Sequence, residues 1–280
     1  MYGLYIWGYM PEMTHFNIEI EELPLVSVIT PSVRPLGLKM TAESLKRQSY
    51  KNIEWLICMP EKYRLEAKEV IGNIFPYKFI GNPPIGEGKV WDLNYSYNRL
   101  IKSSHGKIIV TLQDWIYIGV DGVRKFVDII EEFGDVAVSG VGNQFSQLGD
   151  YGKPECQTWN DPRINNKYGS FYEIFPQDFE WNWGALKKNI LIDVGGFCEE
   201  LDSGFGMDGY QVNERLDKLG YKFYIDQDNV SMTLRHNRDS YGGQDKWDGN
   251  NNLTNGNYEK IKEAFIKKGE WPKMKYLSID

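Results

Sequence analysis

Three residues that lie far apart in the chain have the types needed to bind a cation and to move a proton. Asp114 ends a short apolar run, Asp208 lies among glycines in GFGMDGYQVNERL, and His236 follows the run VSMTL. A carboxylate with an imidazole suits Mn²⁺, and a carboxylate with phosphate oxygens suits Mg²⁺. A second carboxylate within hydrogen-bond reach of a hydroxyl can act as a general base. We therefore expect Asp114 and His236 to bind a metal ion and Asp208 to deprotonate a hydroxyl.

Each of these residues also has an ordinary structural interpretation. Asp114 could start a turn, and Asp208 could cap the helix that it opens. A lone histidine such as His236 is more often structural than a ligand. Asp226 and Asp228, in YIDQDNV, are alternative ligands, although the same position after a strand suits a solvated turn. The residue types alone leave these alternatives open.

Asp114 is positioned by residues 107–118, KIIVTLQDWIYI, which we interpret as one element. Its apolar, mostly β-branched run suits a strand that is buried on both faces, as in a parallel sheet. Gln113, Asp114 and Trp115 form its polar tip. In open α/β sheets, ligands bind outside the carboxyl ends of the strands. This position therefore favours a binding role for the tip.

The first half of the chain alternates between two kinds of pattern. Helix-like runs at 37–49, 63–74, 90–102 and 120–133 separate strand-like runs at 25–30, 53–59, 78–80, 107–113 and 136–141. This alternation is typical of βαβ units. We predict an α/β fold, a single domain with a mostly parallel central sheet flanked by helices.

The second half of the chain is less regular. We interpret residues 143–169 as a long polar loop that closes over a site, then expect two short strands in 171–183, helices at 187–194 and 208–219, and a strand at 221–226. A polar loop at 242–256 and a closing helix at 258–268 follow. The predicted organisation is an appendage at 1–23, a domain at 24–240 with halves 24–142 and 143–240, and a C-terminal loop and helix at 241–280.

Composition and charge exclude some classes of function. The 280 residues are 41% hydrophobic, and 32 basic against 39 acidic residues give a net charge of −7, which argues against a general nucleic-acid binder. The residues Cys58, Cys156 and Cys198 are widely spaced and form no metal-ligand pattern. With no signal peptide, they favour reduced thiols in the cytoplasm. No apolar run approaches ~20 residues, so we expect no transmembrane segment, with peripheral attachment to a membrane as the alternative.

Three segments together resemble family 2 glycosyltransferases of the nucleotide-sugar-binding A-type fold. Residues 26–57 resemble the family's opening: a strand, Thr-Pro, a helix ending in Leu-x-x-Gln-Ser-Tyr, then Asn-Ile-Glu and a second strand. Residues 94–115 resemble its middle section, with an Asn-containing helix and Ser-x-Gly-Lys before the acidic motif. Residues 183–216 resemble its acceptor side, with Gly-Gly-Phe-Cys-Glu-Glu before an acidic residue and a helix ending in Arg-Leu. The resemblance covers about residues 24–237.

The resemblance implies an inverting, metal-dependent transfer of a sugar from a nucleoside-diphosphate sugar, such as a UDP- or GDP-sugar, in glycan or surface polysaccharide synthesis. Asp208 matches the catalytic base, and Asp114 with His236 matches the site of Mn²⁺ or Mg²⁺. The acceptor would be a glycan or a lipid-linked or protein-linked hydroxyl, and no nucleic acid is implied. The donor would be bound by Thr30, Pro31, Arg34, Glu61, Asn98, Gln113 and Asp114, and the acceptor by Trp181, Trp183 and Gly184, although packing under a loop remains an alternative for the two tryptophans.

The sequence departs from the family pattern at two places. Residues 59–62, MPEK, replace the usual Asp-Asp-Gly-Ser, which leaves Glu61 as a substitute for the base-recognising Asp. Gln113–Asp114–Trp115 supplies one carboxylate where two are common. Two alternatives follow: a nucleotide-sugar-binding relative with impaired catalysis, or another α/β nucleotide enzyme such as a nucleotidyltransferase. The second would usually show a Gly-rich phosphate loop with a Lys, which residues 32–38 match poorly.

Overall fold

The structure is a computed structural model that describes residues 23–81, 92–147, 150, 153–165, 167–202, 208–234 and 252–277; for 154, 208 and 252–257 it describes the backbone alone. His236 lies outside these residues. The elements in chain order are β1 Val26–Pro31, α1 Gly37–Lys46, β2 Ile53–Cys58, α2 Glu61–Ile71, β3 Lys78–Phe79, α3 Leu93–Ser103, β4 Ile108–Leu112, β5 Ile116–Ile118, α4 Gly122–Phe133, β6 Val136–Phe145, β7 Gln157–Asn160, β8 Phe171–Glu173, β9 Trp183–Lys187, α5 Lys188–Asp193, α6 Asp208–Lys218, β10 Lys222–Leu234 and α7 Asn252–Lys267.

One mixed sheet connects the two halves of the described chain. Its strand order is β3-β2-β1-β4-β9-β6-β10-β5, with β7 added on β6 and β8 on β10. Strands β3, β2, β1 and β4 are parallel, and so are β6 and β10. Because β9 is antiparallel to both β4 and β6, all six of these strands run in the same direction. The predicted α/β fold with a mostly parallel sheet is confirmed.

The apolar runs of the central strands are explained by burial on both faces. In β1 and β4, Val28 and Val110 pack into one core cluster together with α4, and Ile29 and Ile109 pack into a second cluster together with α3. Side chains alternate between the faces of a strand, so a strand covered on both faces is mostly apolar along its whole length. This is the pattern that predicted these strands in the sequence.

The interpretation of residues 107–118 as one element was wrong. Strand β4 ends at Leu112, the chain turns at Asp114 and Trp115, and β5 pairs antiparallel with β10 at the far end of the sheet order. Trp115 has a φ of 61°, and its N–H donates to the carbonyl of Gly37 at 3.4 Å. A Cβ on Gly37 would lie 2.6 Å from the Trp115 ring, so glycine is required there. Packing of this indole on α1 therefore redirects the chain.

The interpretation of residues 143–169 as a continuous loop was also wrong. Strand β6 extends to Phe145, and β7 pairs with it antiparallel within the segment. The strands expected at 221–226 and in VSMTL form one strand, β10, with a register shift between Asp226 and Val230. Continued pairing with β10 holds the polar residues of β6 in strand conformation, and this pairing is invisible to local sequence patterns.

The residues after α7 return to the middle of the chain. Gly195 and Gly196 have φ values of 75° and 80°, and the carbonyl of Gly195 accepts backbone N–H bonds from Tyr276 and Leu277 at 3.0 and 3.1 Å. A Cβ on Gly195 would lie 1.2 Å from the carbonyl oxygen of Met274. The turn at 195–196 therefore has contacts that only glycine permits. Among the helices of the described residues, none combines the length and the apolar composition that a membrane span requires.

Candidate functional site

The carboxyl ends of the neighbouring strands β1 and β4 are joined by a buried cluster of three polar side chains. Asp114 accepts a hydrogen bond from the hydroxyl of Ser32 at 2.5 Å and another from Nε of Arg34 at 3.2 Å. A second guanidinium nitrogen of Arg34 donates to the other carboxylate oxygen. The side chains of Arg34 and Asp114 are 10% and 2% exposed. The fold thus brings two of the predicted donor-binding residues together at the edge where a ligand is expected.

The cluster is electrically balanced and geometrically fixed. Both carboxylate oxygens of Asp114 have donors, and two nitrogens of Arg34 meet them side by side. Such paired contacts hold the plane of the guanidinium group. Removal of either charge would leave the other one buried without a counter-charge, which is costly. Asp114 therefore acts as the partner that orients Arg34 in this arrangement.

The predicted metal centre does not fit the residues that the structure describes. Both oxygens of Asp114 are occupied by Ser32 and Arg34, and its neighbour Gln113 is not a carboxylate. His236 lies outside the described residues. Within them, no group of three or more His, Cys, Asp or Glu side chains is arranged to hold a metal ion. Metal binding by Asp114 and His236 stays a prediction.

Thr30, Pro31 and Glu61 lie at the same edge but differ in exposure. Thr30 is fully buried, donates its hydroxyl to the carbonyl of Leu112 at 2.6 Å and accepts from the indole of Trp55 at 2.9 Å. These bonds connect β1 to β4 and β2, so Thr30 stabilises the strands that carry the site. Pro31 ends β1 and is buried, and Glu61 is exposed at the start of α2.

Asn98 has a structural role in this arrangement, and its contact with the donor stays a prediction. Its amide Nδ2 donates to the carbonyl of Phe197 and to a Glu199 carboxylate oxygen, each at 2.8 Å, and its Oδ1 accepts the N–H of Phe197 at 2.8 Å. The side chain is 2% exposed. The amide of Asn98 therefore fixes the segment after Gly196 on α3.

Asp208 is the first residue of α6, where the sequence predicted a helix, and its side chain is not described. The segment that leads toward it is held by Asp202, which sequence reasoning missed. The Asp202 carboxylate accepts the backbone N–H groups of Asn94 and Tyr95 at 2.7 and 2.9 Å, at the start of α3. Burial raises the pKa of Asp202 to about 6 despite these bonds, and Asp92 adds repulsion. Acidic residues after Gly-Gly-Phe were the only signal in the sequence.

Arg215 was also missed, although it belongs to the Arg-Leu ending of the helix. It is fully buried, and its guanidinium donates to the carbonyls of Val194 and Gly196 at 3.0 and 2.6 Å. Burial lowers the pKa of Arg215 to about 10. Arg215 thereby connects α6, which begins at Asp208, to the turn at 195–196.

The predicted acceptor-binding residues are in the core. Trp181 is 5% exposed and donates to Asn213 Oδ1 at 2.8 Å; Trp183 is 2% exposed and donates to the carbonyl of Asn229 at 3.3 Å. Gly184 pairs with Thr111 and Ser139 inside the sheet. Both tryptophan rings are packed inside the protein, as the alternative interpretation of these residues proposed. Their role in acceptor binding stays a prediction, and of the two rings Trp183 lines the pocket described next.

A pocket of about 440 Å³ lies where β9 leaves β6, and we call it the β6 pocket. The backbone N–H of Gln113 donates to the carbonyl of Asn182 at 3.2 Å, so the pocket adjoins the turn that contains Asp114. Its volume lies within the range of small-molecule sites, about 300–1,000 Å³. The residues that line it include Asn143, Gln144, Trp159, Asp178, Glu180 and Asn182.

One side of the β6 pocket is fixed by a second aspartate–arginine pair. Asp161 accepts from Nε of Arg163 at 2.9 Å and from the backbone N–H of Gly142 at 2.9 Å. Arg163 also donates to the carbonyls of Gly140 and Asp178, at 3.1 and 2.9 Å. Although burial acts to raise it, the bonds from Arg163 and Gly142 hold the pKa of Asp161 below its usual value. The pair attaches the segment after β7 to the edge of β6.

The sequence and the fold give different results when they are compared with known proteins. No family profile matches the sequence, and no curated protein matches it at a significant level. By structure, the chain is similar to S. aureus TarS residues 1–349 in complex with UDP-GlcNAc (TM-score 0.56, 11% identity) over 76% of this chain and 59% of that one. The same TarS fragment in complex with UDP gives a TM-score of 0.52 at 14% identity, over 75% and 60%.

A third similar structure is the mannosyltransferase PcManGT from Pyrobaculum calidifontis in complex with GDP-Man and Mn²⁺. It gives a TM-score of 0.53 at 15% identity, over 79% of this chain and 59% of that one. The chain thus spans about 60% of the length of the structures that it matches. The fold of the chain is the A-type fold of nucleotide-sugar glycosyltransferases, as the sequence predicted.

Proposed function

We propose that the protein is a glycosyltransferase that moves a sugar from a UDP- or GDP-sugar to an acceptor hydroxyl with inversion. The proposal rests mainly on the Arg34–Asp114 pair, which presents an oriented guanidinium group at the joined carboxyl ends of β1 and β4. Arginine in a fixed plane suits diphosphate oxygens. Neighbours of this fold were solved with UDP, UDP-GlcNAc and GDP-Man.

In the proposed mechanism, Asp208 removes the proton from the acceptor hydroxyl. The oxygen attacks the anomeric carbon from the face opposite the nucleoside diphosphate, which leaves with the bonding electrons. One displacement inverts the anomeric configuration and needs no protein nucleophile. Arg34 binds and orients the diphosphate, and Asp114 together with Ser32 holds Arg34 in place.

The resemblance implies Mn²⁺ or Mg²⁺ as a cofactor, and one neighbour was solved with Mn²⁺, but the proposed activity does not depend on a cation. Because the described residues do not fit a metal centre, no step of the mechanism is assigned to a cation. The proposed acceptor is a glycan or a lipid-linked or protein-linked hydroxyl. The proposed compartment is the cytoplasm, which the free thiols of Cys58, Cys156 and Cys198 favour.

The test is release of nucleoside diphosphate from a panel of UDP- and GDP-sugars, with binding of UDP and GDP measured in parallel by calorimetry. We expect release that falls at least a hundredfold in Asp208→Asn, because a general base contributes about 10²–10⁴ in rate. Binding without release would favour the impaired relative instead. Release of pyrophosphate from a nucleoside triphosphate and a sugar phosphate would favour a nucleotidyltransferase. Release that Asp208→Asn leaves intact would exclude Asp208 as the base.

A further inference from the structure

We infer that the β6 pocket binds an uncharged, polyhydroxylated ring of the acceptor. This inference rests on the proposed function and extends it, since it names the chemical class of acceptor and places it in a pocket that Trp183 lines but Trp181 and Gly184 do not. It assigns the acceptor to a pocket whose lining comes from both the first and the second half of the chain.

The lining groups suit hydroxyl groups as ligands. Amide side chains of Asn143, Gln144 and Asn182 and the hydroxyl of Thr233 line the pocket. Asn143 is 7% exposed, and its Oδ1 has no hydrogen-bond partner among the described residues. A buried polar atom without a partner carries a cost that a ligand hydroxyl could remove. Amides and hydroxyls both donate and accept, as sugar hydroxyls do.

The charges of the pocket disfavour an anionic ligand. Asp178 and Glu180 line it, and Arg163 is the cation among its lining residues that the structure describes. The charge of Arg163 is balanced by Asp161, and its other nitrogens donate to Ser139, Gly140 and Asp178. A phosphate in this pocket would meet carboxylates without an uncommitted positive charge. A neutral ring would use the same carboxylates as hydrogen-bond acceptors.

Trp159 supplies a flat apolar surface at the rim of the pocket. It belongs to β7 and is 44% exposed, in contrast to the covered rings of Trp181 and Trp183. An exposed indole offers a large apolar face and one N–H donor. The C–H face of a sugar ring can pack on it while the ring hydroxyls reach the polar lining. The combination of one exposed indole with amides and carboxylates favours a sugar ring over an apolar ligand.

The position and stiffness of the pocket support the assignment. Asn182 lines the pocket and bonds to Gln113, the residue before Asp114, so a bound acceptor lies beside the donor edge. The Asp161–Arg163 pair fixes the segment after β7 to β6. A pocket that is formed before binding costs less ordering free energy when the ligand enters.

The experiment measures binding of a defined panel of probes to the full chain by ligand-detected NMR and calorimetry, with and without UDP or GDP. The neutral probes are the methyl glycosides of glucose, galactose, mannose and N-acetylglucosamine; the anionic probes are the 6-phosphates of glucose and mannose. We expect at least one neutral probe to bind, and to bind at least fivefold more tightly than the phosphates. Trp159→Ala should weaken that binding at least fivefold and raise the acceptor KM more than it lowers kcat.

Two further variants serve as a control for loss of an exposed aromatic ring elsewhere and as a test of the charge of the pocket. Tyr168→Ala removes an aromatic ring that is 63% exposed and outside the pocket lining, and we expect it to bind the neutral probe like the parent. Asp178→Lys should bring the affinity for the sugar phosphates to that of the neutral probe or above it, while the thermal unfolding temperature shows that the variant is folded. Asp178→Lys leaves the backbone carbonyl that bonds to Arg163 in place.

The outcomes distinguish this inference from the proposed function. If no neutral probe binds in any nucleotide state, if the phosphates bind more tightly than the neutral probes, or if folded Trp159→Ala binds like the parent, the inference is overturned. If a neutral probe binds through Trp159 but the protein neither binds nor cleaves nucleotide sugars, the pocket is supported and the proposed function fails. Nucleotide binding without probe binding gives the opposite result.

Discussion

Two buried aspartate–arginine pairs lie at the edges of the two halves of the sheet, and they differ in what surrounds the arginine. Arg34 and Asp114 come from distant segments and join the ends of β1 and β4, with Ser32 as the third member. Asp161 and Arg163 are neighbours in one turn, and the guanidinium group of Arg163 also donates hydrogen bonds to the backbone of β6 and to the carbonyl of Asp178. In the first pair, Asp114 orients the guanidinium group of Arg34 at a strand end. The second pair attaches a segment to the sheet.

The difference shows that the same ion pair can serve a site or serve the fold. In the second pair, the backbone of β6 and the segment after β7 depend on the charges, so their loss should appear in the free energy of unfolding. Loss of the first pair should also cost stability, because it too is buried, but the proposed ligand contacts its arginine, so this loss should appear in nucleotide binding as well. Variants of each pair can therefore test this assignment.

The largest effect is expected for Asp161→Ala. The change leaves Arg163 partly buried without a counter-charge and the N–H of Gly142 without an acceptor. Breaking a buried pair from one side costs about 3–5 kcal/mol. We expect a decrease of this size in the free energy of unfolding, measured in urea. The control is Asp150→Ala, which breaks the exposed pair with Lys153 and should cost at most about 1 kcal/mol. Equal losses would contradict the role given to Asp161.

Asp202 offers a third case, a buried carboxylate whose hydrogen bonds come from backbone N–H groups. Its pKa of about 6 in the folded state lies above the ordinary value of 3.8, so the folded protein binds the proton more tightly than the unfolded chain does. This group's contribution to stability is present below about pH 4 and is lost as the pH rises through 6. Asp202→Asn should remove up to about 3 kcal/mol of that pH dependence.

The measurement is the free energy of unfolding of parent and Asp202→Asn at several pH values between 4 and 7. The amide keeps an acceptor for one of the two N–H groups of α3. If both proteins show the same slope in this interval, the raised pKa of Asp202 is contradicted. In that case, a different group accounts for the pH dependence.

Arg34→Ala should lower the affinity for UDP or GDP at least tenfold, which corresponds to about 1.4 kcal/mol. Arg34→Lys should restore only part of it, because an ammonium group cannot make the paired contact with Asp114 and hold a defined plane. Calorimetry on Arg34→Ala, Asp114→Ala and the double variant gives the coupling between the two side chains. We expect the double variant to bind about as weakly as Arg34→Ala. Additive losses would mean that Asp114 acts on the nucleotide independently of Arg34.

The smallest effect is expected for removal of divalent cations. Because the oxygens of Asp114 are occupied by Arg34 and Ser32, chelation with EDTA should lower nucleotide binding and turnover less than threefold. The measurement compares dialysed protein with the same sample after addition of Mn²⁺ or Mg²⁺. A loss of tenfold or more that Mn²⁺ restores would show that the Arg34–Asp114 pair opens and that Asp114 binds metal as the sequence predicted.

The first half of the fold could be predicted because its local patterns and its tertiary environment agree. Strands buried on both faces are apolar throughout, and the helices between them are amphipathic, so each pattern reports its own element. The turn after β4 and the strand β7 could not be predicted. The turn at Trp115 depends on the space that Gly37 leaves for its ring, and β7 is formed by pairing with β6. Both features therefore depend on residues that are distant in sequence.

The candidate site was predictable in its location and less so in the roles of its residues. Position at a strand end identified Asp114, and the family resemblance identified Arg34. Asn98 matched a family motif, but the motif did not predict that its amide bonds to Phe197, which it does because a polar residue on the buried face of α3 must find a partner inside the protein. Trp159 carried no local signal, because its exposure is set by the pairing of β7. Residue type indicates which bonds are available, and only the fold decides which are used.

The turn at 195–196 has a consequence for how the protein is made. The carbonyl of Gly195 is satisfied by Tyr276 and Leu277, which the ribosome adds long after α6. During synthesis, the turn at 195–196 must wait for these contacts, because Gly195 lies against the backbone of Met274. A nascent chain that stops before Met274 would thus carry a sheet with all its strands but an unfinished turn ahead of the proposed base. Activity is therefore expected to arise after translation has passed this point.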